Sequence, residues 1–383
     1  MYTAKKTCYL CSKEIGDEND SREHIIPNSI GGRKKVKGFI CIECNSSAGD
    51  EWETELAKQL NPLCLFFGIE RERGDVPSQT FNTTGNEEYV LHHDGSLGLP
   101  RPEYREAAVD SGVEISIKAR SMKEARKMLA GVARKHPEVN LEQLLDKAET
   151  QSSYCSDMLH MSISLGGANA GRSVVKSALA LMALHGISPS VCECANEYLF
   201  EEDGKPCFGY YYEKDLVKNR PQGVPFHCVH IEGSPCTREI KAYVEYFAVK
   251  RVVMLLSNHY DGEEFELTYA INPQSGTELS IDVDLNELSQ QEIAEAYDYK
   301  KMPKGSVEEA LGKVIQPRMA ETVEKHQSEV VEKAVQYAFE NCGAKYGERL
   351  TRDHLDRVAG LMMEKLEPYL IHILTVPRRK SDV

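Results

Sequence analysis

The chain has 383 residues, 41% hydrophobic and 28% charged, with a formal net charge of −14. That mix suits an ordinary globular protein of two or three domains. It contains no apolar run of about 18 residues that could form a helical membrane span, and its acidity argues against a surface that coats nucleic acid all over.

Residues 1–75 stand apart, with 11 basic against 13 acidic residues, four cysteines at paired spacing, and Cys64. The start, MYTAKKTCYL, lacks the apolar centre of a secretory signal, so a cytoplasmic location is expected. In a reducing compartment close cysteine pairs mean metal more often than disulfides. The stretch 74–103 is rich in Gly, Pro, Asn and Thr and reads as turns and short strands leading into a second domain, 76–383. SMKEARKMLAGVARKH (121–136) is expected to be helical, with Ser121 as N-cap and Pro137 as its stop. NLEQLLDKAET repeats the pattern with Asn140 as cap, and DMLHMSISL (157–165) alternates like a strand. GRSVVKSALALMALHG (171–186) reads as a buried helix. Residues 225–285 read as β-structure punctuated by turns, and from 287 helices return. Residues 316–343 and 349–374 are two long amphipathic candidates, and 287–375 is a possible helical dimerisation segment. The fold class expected is α+β.

Cys8-x2-Cys11 and Cys41-x2-Cys44 form the strongest signal. Two such knuckles present four thiolates that can close a tetrahedral zinc site and stabilise a segment too small for a core of its own. The 29-residue spacer between them carries SREHIIPNSIGG (21–32) and then RKKVK (33–37). Asn45 follows the second knuckle at once.

Taken together, Cys8, Cys11, Glu23, His24, Pro27, Gly31, Gly32, Cys41, Cys44 and Asn45, with Gly49 beyond, resemble the HNH endonuclease family, the zinc-stapled form of the ββα-metal nuclease fold. The resemblance covers roughly residues 5–60. It implies that His24 is the general base that deprotonates water for attack on a phosphodiester. It implies that Glu23 and Asn45, at the opening of a helix, hold a catalytic Mg2+ or Mn2+, while the four cysteines hold structural Zn2+. A hard cation favours oxygen ligands and keeps positions open for phosphate and water. Many members carry Asp where this chain has Glu23. The middle Asn of the family pattern, which orients the imidazole, is missing from RKKVKGFI, and Asn28 is one candidate to replace it.

Arg22, Arg33, Lys34, Lys35 and Lys37 are then candidates for contacts with the sugar-phosphate backbone. His227, Cys228, His230, Cys236, Cys192 and Cys194 fit no standard knuckle spacing and read as buried packing residues. GGANAGRS (166–173) lacks the ending of a nucleotide-binding P-loop and reads as a tight turn into a helix. Trp52 reads as a packing residue. The function expected is metal-dependent hydrolysis of DNA by a restriction or anti-phage effector, working as a homodimer. The alternatives are a nuclease gated by a signal nucleotide, bound as a small regulatory ligand to the C-terminal domain, or a non-catalytic zinc-stapled nucleic-acid-binding protein.

Overall fold

The computed structural model describes residues 6–109, 112–137, 140–150, 153–155, 157–201 and 203–375. The architecture mixes helix and sheet, and the chain divides into two compact units. The first holds the residues up to Ser78, His93–Gly95 and Ser162–Met319; the second holds Gln79–His92, Ser96–Met161 and the residues from Ala320.

In the first unit, β1 (Glu23–His24) pairs antiparallel with β2 (Lys35–Val36), and α1 (Ile42–Ala48) follows the second knuckle. A π-helical turn, Gly49–Glu53, leads into α2 (Thr54–Phe67). The long helix α3 (Ala168–Leu184) is buried along almost its whole length and packs on β1, β2, the π turn and α2. A helix apolar on every side belongs inside a protein. The remaining face of α3 lies on a six-stranded antiparallel sheet formed by β3 (Phe208–Tyr210), β4 (His227–Ser234), β5 (Glu239–Tyr246), β6 (Lys250–Ser257), β7 (Phe265–Asn272) and β8 (Thr277–Glu278), in the order β8-β7-β4-β5-β6-β3. The N-terminal segment therefore shares its core with the chain beyond residue 162.

His227 shows how closely the two are joined. It is fully buried; its Nε2–H donates to the Ile30 carbonyl (2.8 Å) and its Nδ1 accepts from the Phe247 N–H (3.0 Å). Burial pushes its pKa down to about 4, only partly opposed by the Ile30 carbonyl. An unfolded chain takes up this proton near pH 6.5, so stability is complete above that value and declines as pH falls toward 4. The expected contribution is about 3 kcal/mol. Urea unfolding of wild type and His227→Phe at pH 7 and pH 4.5 checks it. Equal losses in the two proteins would remove His227 as the cause.

In the second unit, a small sheet of Gln79–Thr83, Glu88–Leu91, Leu97–Gly98 and Leu159–His160 accompanies a hairpin, Glu103–Val109 with Gly112–Lys118. Met122–Lys135 is helical with Ser121 accepting from the Glu124 N–H, and Leu141–Asp146 is capped by Asn140, as expected. The expected strand 157–165 shrinks to Leu159–His160, which pair with Thr83 and Asn82, and the Met158 carbonyl accepts from the Thr84 N–H. The helix expected from 316 begins at Ser306 and runs through Pro317 to Asn341; the last helix is Arg352–Thr375. Ala338, Cys342 and Val358 form a small core between these two. Among the described residues no helix is long and apolar enough to cross a membrane.

Candidate metal centre and active site

The four knuckle cysteines converge, with their sulfurs all within 4.8 Å of one another. Cys11 Sγ and Cys41 Sγ lie 3.8 Å apart, close to the edge of a tetrahedron built on metal–sulfur bonds of about 2.3 Å. The backbone already serves this geometry. The Cys41 N–H donates to Cys8 Sγ (3.3 Å), the Gly38 N–H donates to the Asp20 carboxylate (2.7 Å), and the Ser21 hydroxyl donates to the Ile40 carbonyl (2.7 Å). These four cysteines could bind a metal such as zinc. Cys64 is excluded from that set: it is fully buried, and burial pushes its thiol up to about 12. His227 and His230 are likewise buried and committed to hydrogen bonds, His227 with Ile30 and Phe247 and His230 with Thr268 and Glu232.

Most residues of EHIIPNSIGG have a structural assignment. Ile25, Ile26 and Ile30 are fully buried and anchor the loop. Pro27 precedes a single 3-10 turn, Asn28–Ile30, that ends at Gly31 in the left-handed region (φ 97°). A Cβ on Gly32 would lie 1.7 Å from the Ile26 carbonyl oxygen, so only glycine lets the chain double back here.

Successive strand residues face opposite sides, and Glu23 and His24 do so. Glu23 points inward and is 2% exposed. Its carboxylate takes a hydrogen bond from the Lys176 ammonium, which also bonds Glu53. Lys176 comes from the middle of α3 and Glu53 from the π turn. Burial pushes the Glu23 carboxyl up to about 7; Lys176 pulls it down and the adjacent Glu53 charge pushes it up. Burial opposes the Lys176 charge, but the two carboxylates outweigh it and hold the ammonium above its ordinary range.

His24 points the other way, with about a fifth of its side chain exposed. Its Nε2 lies 3.2 Å from Glu72 Oε2, which also pairs with Lys35. The hydrogen bond from Lys35, with a smaller one from His24, holds Glu72 below the usual carboxylate range, so Glu72 is ionised and only accepts. Nε2 therefore carries the proton and Nδ1 keeps the free lone pair. Burial lowers the His24 pKa, with Glu72 and, more weakly, Glu53 pulling it back, so the imidazole is neutral at pH 7.

Two expectations need correction. Asn45 does not open the helix: α1 starts at Ile42, which puts the half-buried Asn45 at its fourth residue. The Glu23 carboxylate accepts from the Lys176 ammonium, which it shares with Glu53. Asn28 does not touch the imidazole. Its side-chain carbonyl accepts the Glu72 N–H (2.9 Å), so it holds the residue that holds His24. Of the five basic candidates, Arg22 and Lys37 are exposed. Arg33 donates to the Glu70 carbonyl (3.0 Å), Lys34 pairs with Glu278 and lies over the Tyr269 ring, and Lys35 pairs with Glu72.

Glu53, Glu72 and Lys176 escaped the sequence reading. Only Lys176 left a signal there, as a lone charge inside the apolar run SVVKSALALM. No curated protein and no solved structure matches the chain. Residues 8–61, which hold the cysteine knuckles, Glu23, His24, Asn45 and Glu53, match the HNH endonuclease family.

Proposed function

We propose that this protein is a metal-dependent endonuclease that hydrolyses phosphodiester bonds in DNA. The observation that carries the reading is a neutral, carboxylate-oriented imidazole, His24, next along the strand to a buried carboxylate, Glu23, that shares the Lys176 ammonium with Glu53, within a four-cysteine frame. Residues 1–75 act as a ββα-metal module built on β1, β2 and α1, with zinc at the four cysteines, and residues 76–383 recognise or regulate.

The donor chemistry fits a hard divalent cation. Two carboxylates already share one cationic group, the Lys176 ammonium, and oxygen donors suit Mg2+ or Mn2+. Glu23 and Glu53 would hold that ion, with Asn45 completing the set through the family resemblance. When bound, it supplies positive charge that stabilises the pentavalent phosphorus and the leaving oxygen. His24 Nδ1 takes the proton from the attacking water, and the Glu72 carboxylate stabilises the imidazolium that forms. Arg22 and Lys37 provide backbone contacts.

Glu72 acts through His24, so its loss has a distinct signature. Glu72→Ala is expected to slow cleavage roughly 10–100-fold and to move the acid limb of the pH–rate profile to lower pH, because the carboxylate that raises the His24 pKa is gone. Glu72→Gln keeps the hydrogen bond and recovers most of the rate. A profile that does not move would assign Glu72 to structure alone.

The role in defence against foreign DNA rests on architecture, a nuclease segment joined to a larger body. We place the protein in the cytoplasm, where its twelve cysteines, free of disulfides, stay reduced. Duplex cutting by one active site per chain calls for a homodimer, and the exposed Met319, Val323, Phe339, Leu355, Met363 and Ile371 offer apolar surface for it. Cleavage of supercoiled plasmid and phage DNA with Mg2+ or Mn2+, against an EDTA control, tests the reading. No cutting of any substrate would overturn it as a constitutive activity.

A further inference from the structure

The observation left over from the active site is Lys176. It lies outside residues 8–61, in the middle of a helix that is otherwise apolar or small around it, and is 1% exposed. A lysine buried to this degree needs strong compensation. It has that compensation from two carboxylates of the N-terminal segment, Glu23 (3% of its side chain exposed) and Glu53 (17%).

We propose that the Lys176 ammonium is a built-in counter-ion that occupies the cation position of the Glu23–Glu53 pair and competes with the divalent ion for it. This inference rests on the proposed function. Two carboxylates and one ammonium carry a net charge of −1, and without the lysine the pair carries −2. Two carboxylates that converge on one buried ammonium cannot both stay ionised without a cation between them. Lys176 supplies that cation in the resting protein, and a divalent ion can replace it only when at least one carboxylate lets the ammonium go.

The geometry identifies Glu53 as the carboxylate that yields. It is the more exposed of the two, and it ends a π-helical turn that begins at Gly49. A π turn is a local departure from the helical ladder, one side-chain step from the regular arrangement, and such turns concentrate at functional sites. Glu23, by contrast, is fixed by the β1–β2 pairing and by the buried Ile25 and Ile26 that follow it.

Because Lys176 belongs to α3, which also packs on β4, β5 and β7, the body of the first unit sets the threshold at which the site accepts its ion. Isolated residues 8–61 would lack this control.

The test is Mn2+ binding to the zinc-loaded full chain, followed by the EPR signal of free Mn2+, with wild type, Lys176→Met, Lys176→Gln and Glu23→Gln. Lys176→Met is expected to bind Mn2+ about tenfold or more tighter than wild type, and to gain more thermal stability from Mn2+ than wild type does. Should Lys176→Met fail to fold without metal, Lys176→Gln carries the comparison, since its amide still hydrogen-bonds a carboxylate but brings no charge. Glu23→Gln is expected to lose the binding. If wild type and the lysine variants bind equally, or the variants bind more weakly, and Glu23→Gln abolishes the binding, the counter-ion inference fails while the metal site stands. If no protein binds Mn2+, or Glu23→Gln binds it unchanged, both the inference and the carboxylate metal site fall.

Discussion

Replacing Cys41 by Ser is expected to unfold the N-terminal segment, release its zinc and abolish cleavage, the largest loss that any single substitution here should cause. The regular structure between residues 6 and 41 amounts to two strands of two residues and one 3-10 turn. Residues 6–20 contain no helix or strand of their own. Their path is set by bonds that converge on the cysteines, from the Cys41 N–H to Cys8 Sγ and from the Cys8 N–H to the Lys13 carbonyl (2.7 Å). Structural zinc contributes about 10–16 kcal/mol in isolated zinc-finger peptides. The effect here should be smaller, because Ile25, Ile26, Ile30 and Ile40 are held by the core of the first unit whether or not metal is bound. Unfolding is therefore expected to be local. Limited proteolysis should cut residues 6–20 of Cys41→Ser or of chelator-treated wild type, while the six-stranded sheet keeps its thermal transition. One zinc per chain in wild type and none in the variant, by elemental analysis, would accompany this. A metal-free wild type as stable as the zinc-loaded one would refute a structural role.

The knuckles, Glu23-His24 and the double glycine could be recognised in the sequence because each obeys a local rule. Metal-binding thiolates come in close pairs, and a doubled-back loop needs residues without Cβ. The orienting and counter-charged groups obey no local rule. Glu72 reaches His24 across 48 positions and Lys176 reaches Glu23 across 153, and both distances are set by tertiary packing. The same limit explains the long run REIKAYVEYFAVKRVVMLLSN (238–258), within the β-structure expected over 225–285, which carries no Gly, Pro or Asn before its last residue to mark a turn. The chain reverses at Phe247 and Ala248, both with φ near 58°, where Gly or Asn would normally announce the turn. Burial of these residues beside His227 overrides their preference. Asn28 shows the reverse case. Its residue type suggested an orienting role, and the structure uses it one step further back, on Glu72.

His24→Ala is expected to reduce cleavage by roughly 10²–10⁴-fold, the span associated with a positioned general base, while leaving zinc content, Mn2+ binding and thermal stability close to wild type. The separation follows from the strand. Glu23 faces the interior and pairs with Lys176, whereas His24 faces out and is fixed by Glu72 at its edge. Removing the imidazole leaves the Glu23–Lys176–Glu53 cluster intact and frees Glu72 to remain paired with Lys35. The pH dependence carries the same sign. Only neutral His24 can accept a proton, and burial lowers its pKa from the ordinary 6.5, so wild-type cleavage should fall as pH drops below neutrality and level off above it. His24→Ala should lose this limb along with the rate. Plasmid nicking measured from pH 5 to 8 in both proteins decides the matter: a variant that keeps the wild-type rate and profile would remove His24 from the chemistry, and the base would have to be sought elsewhere on the outer face of β1.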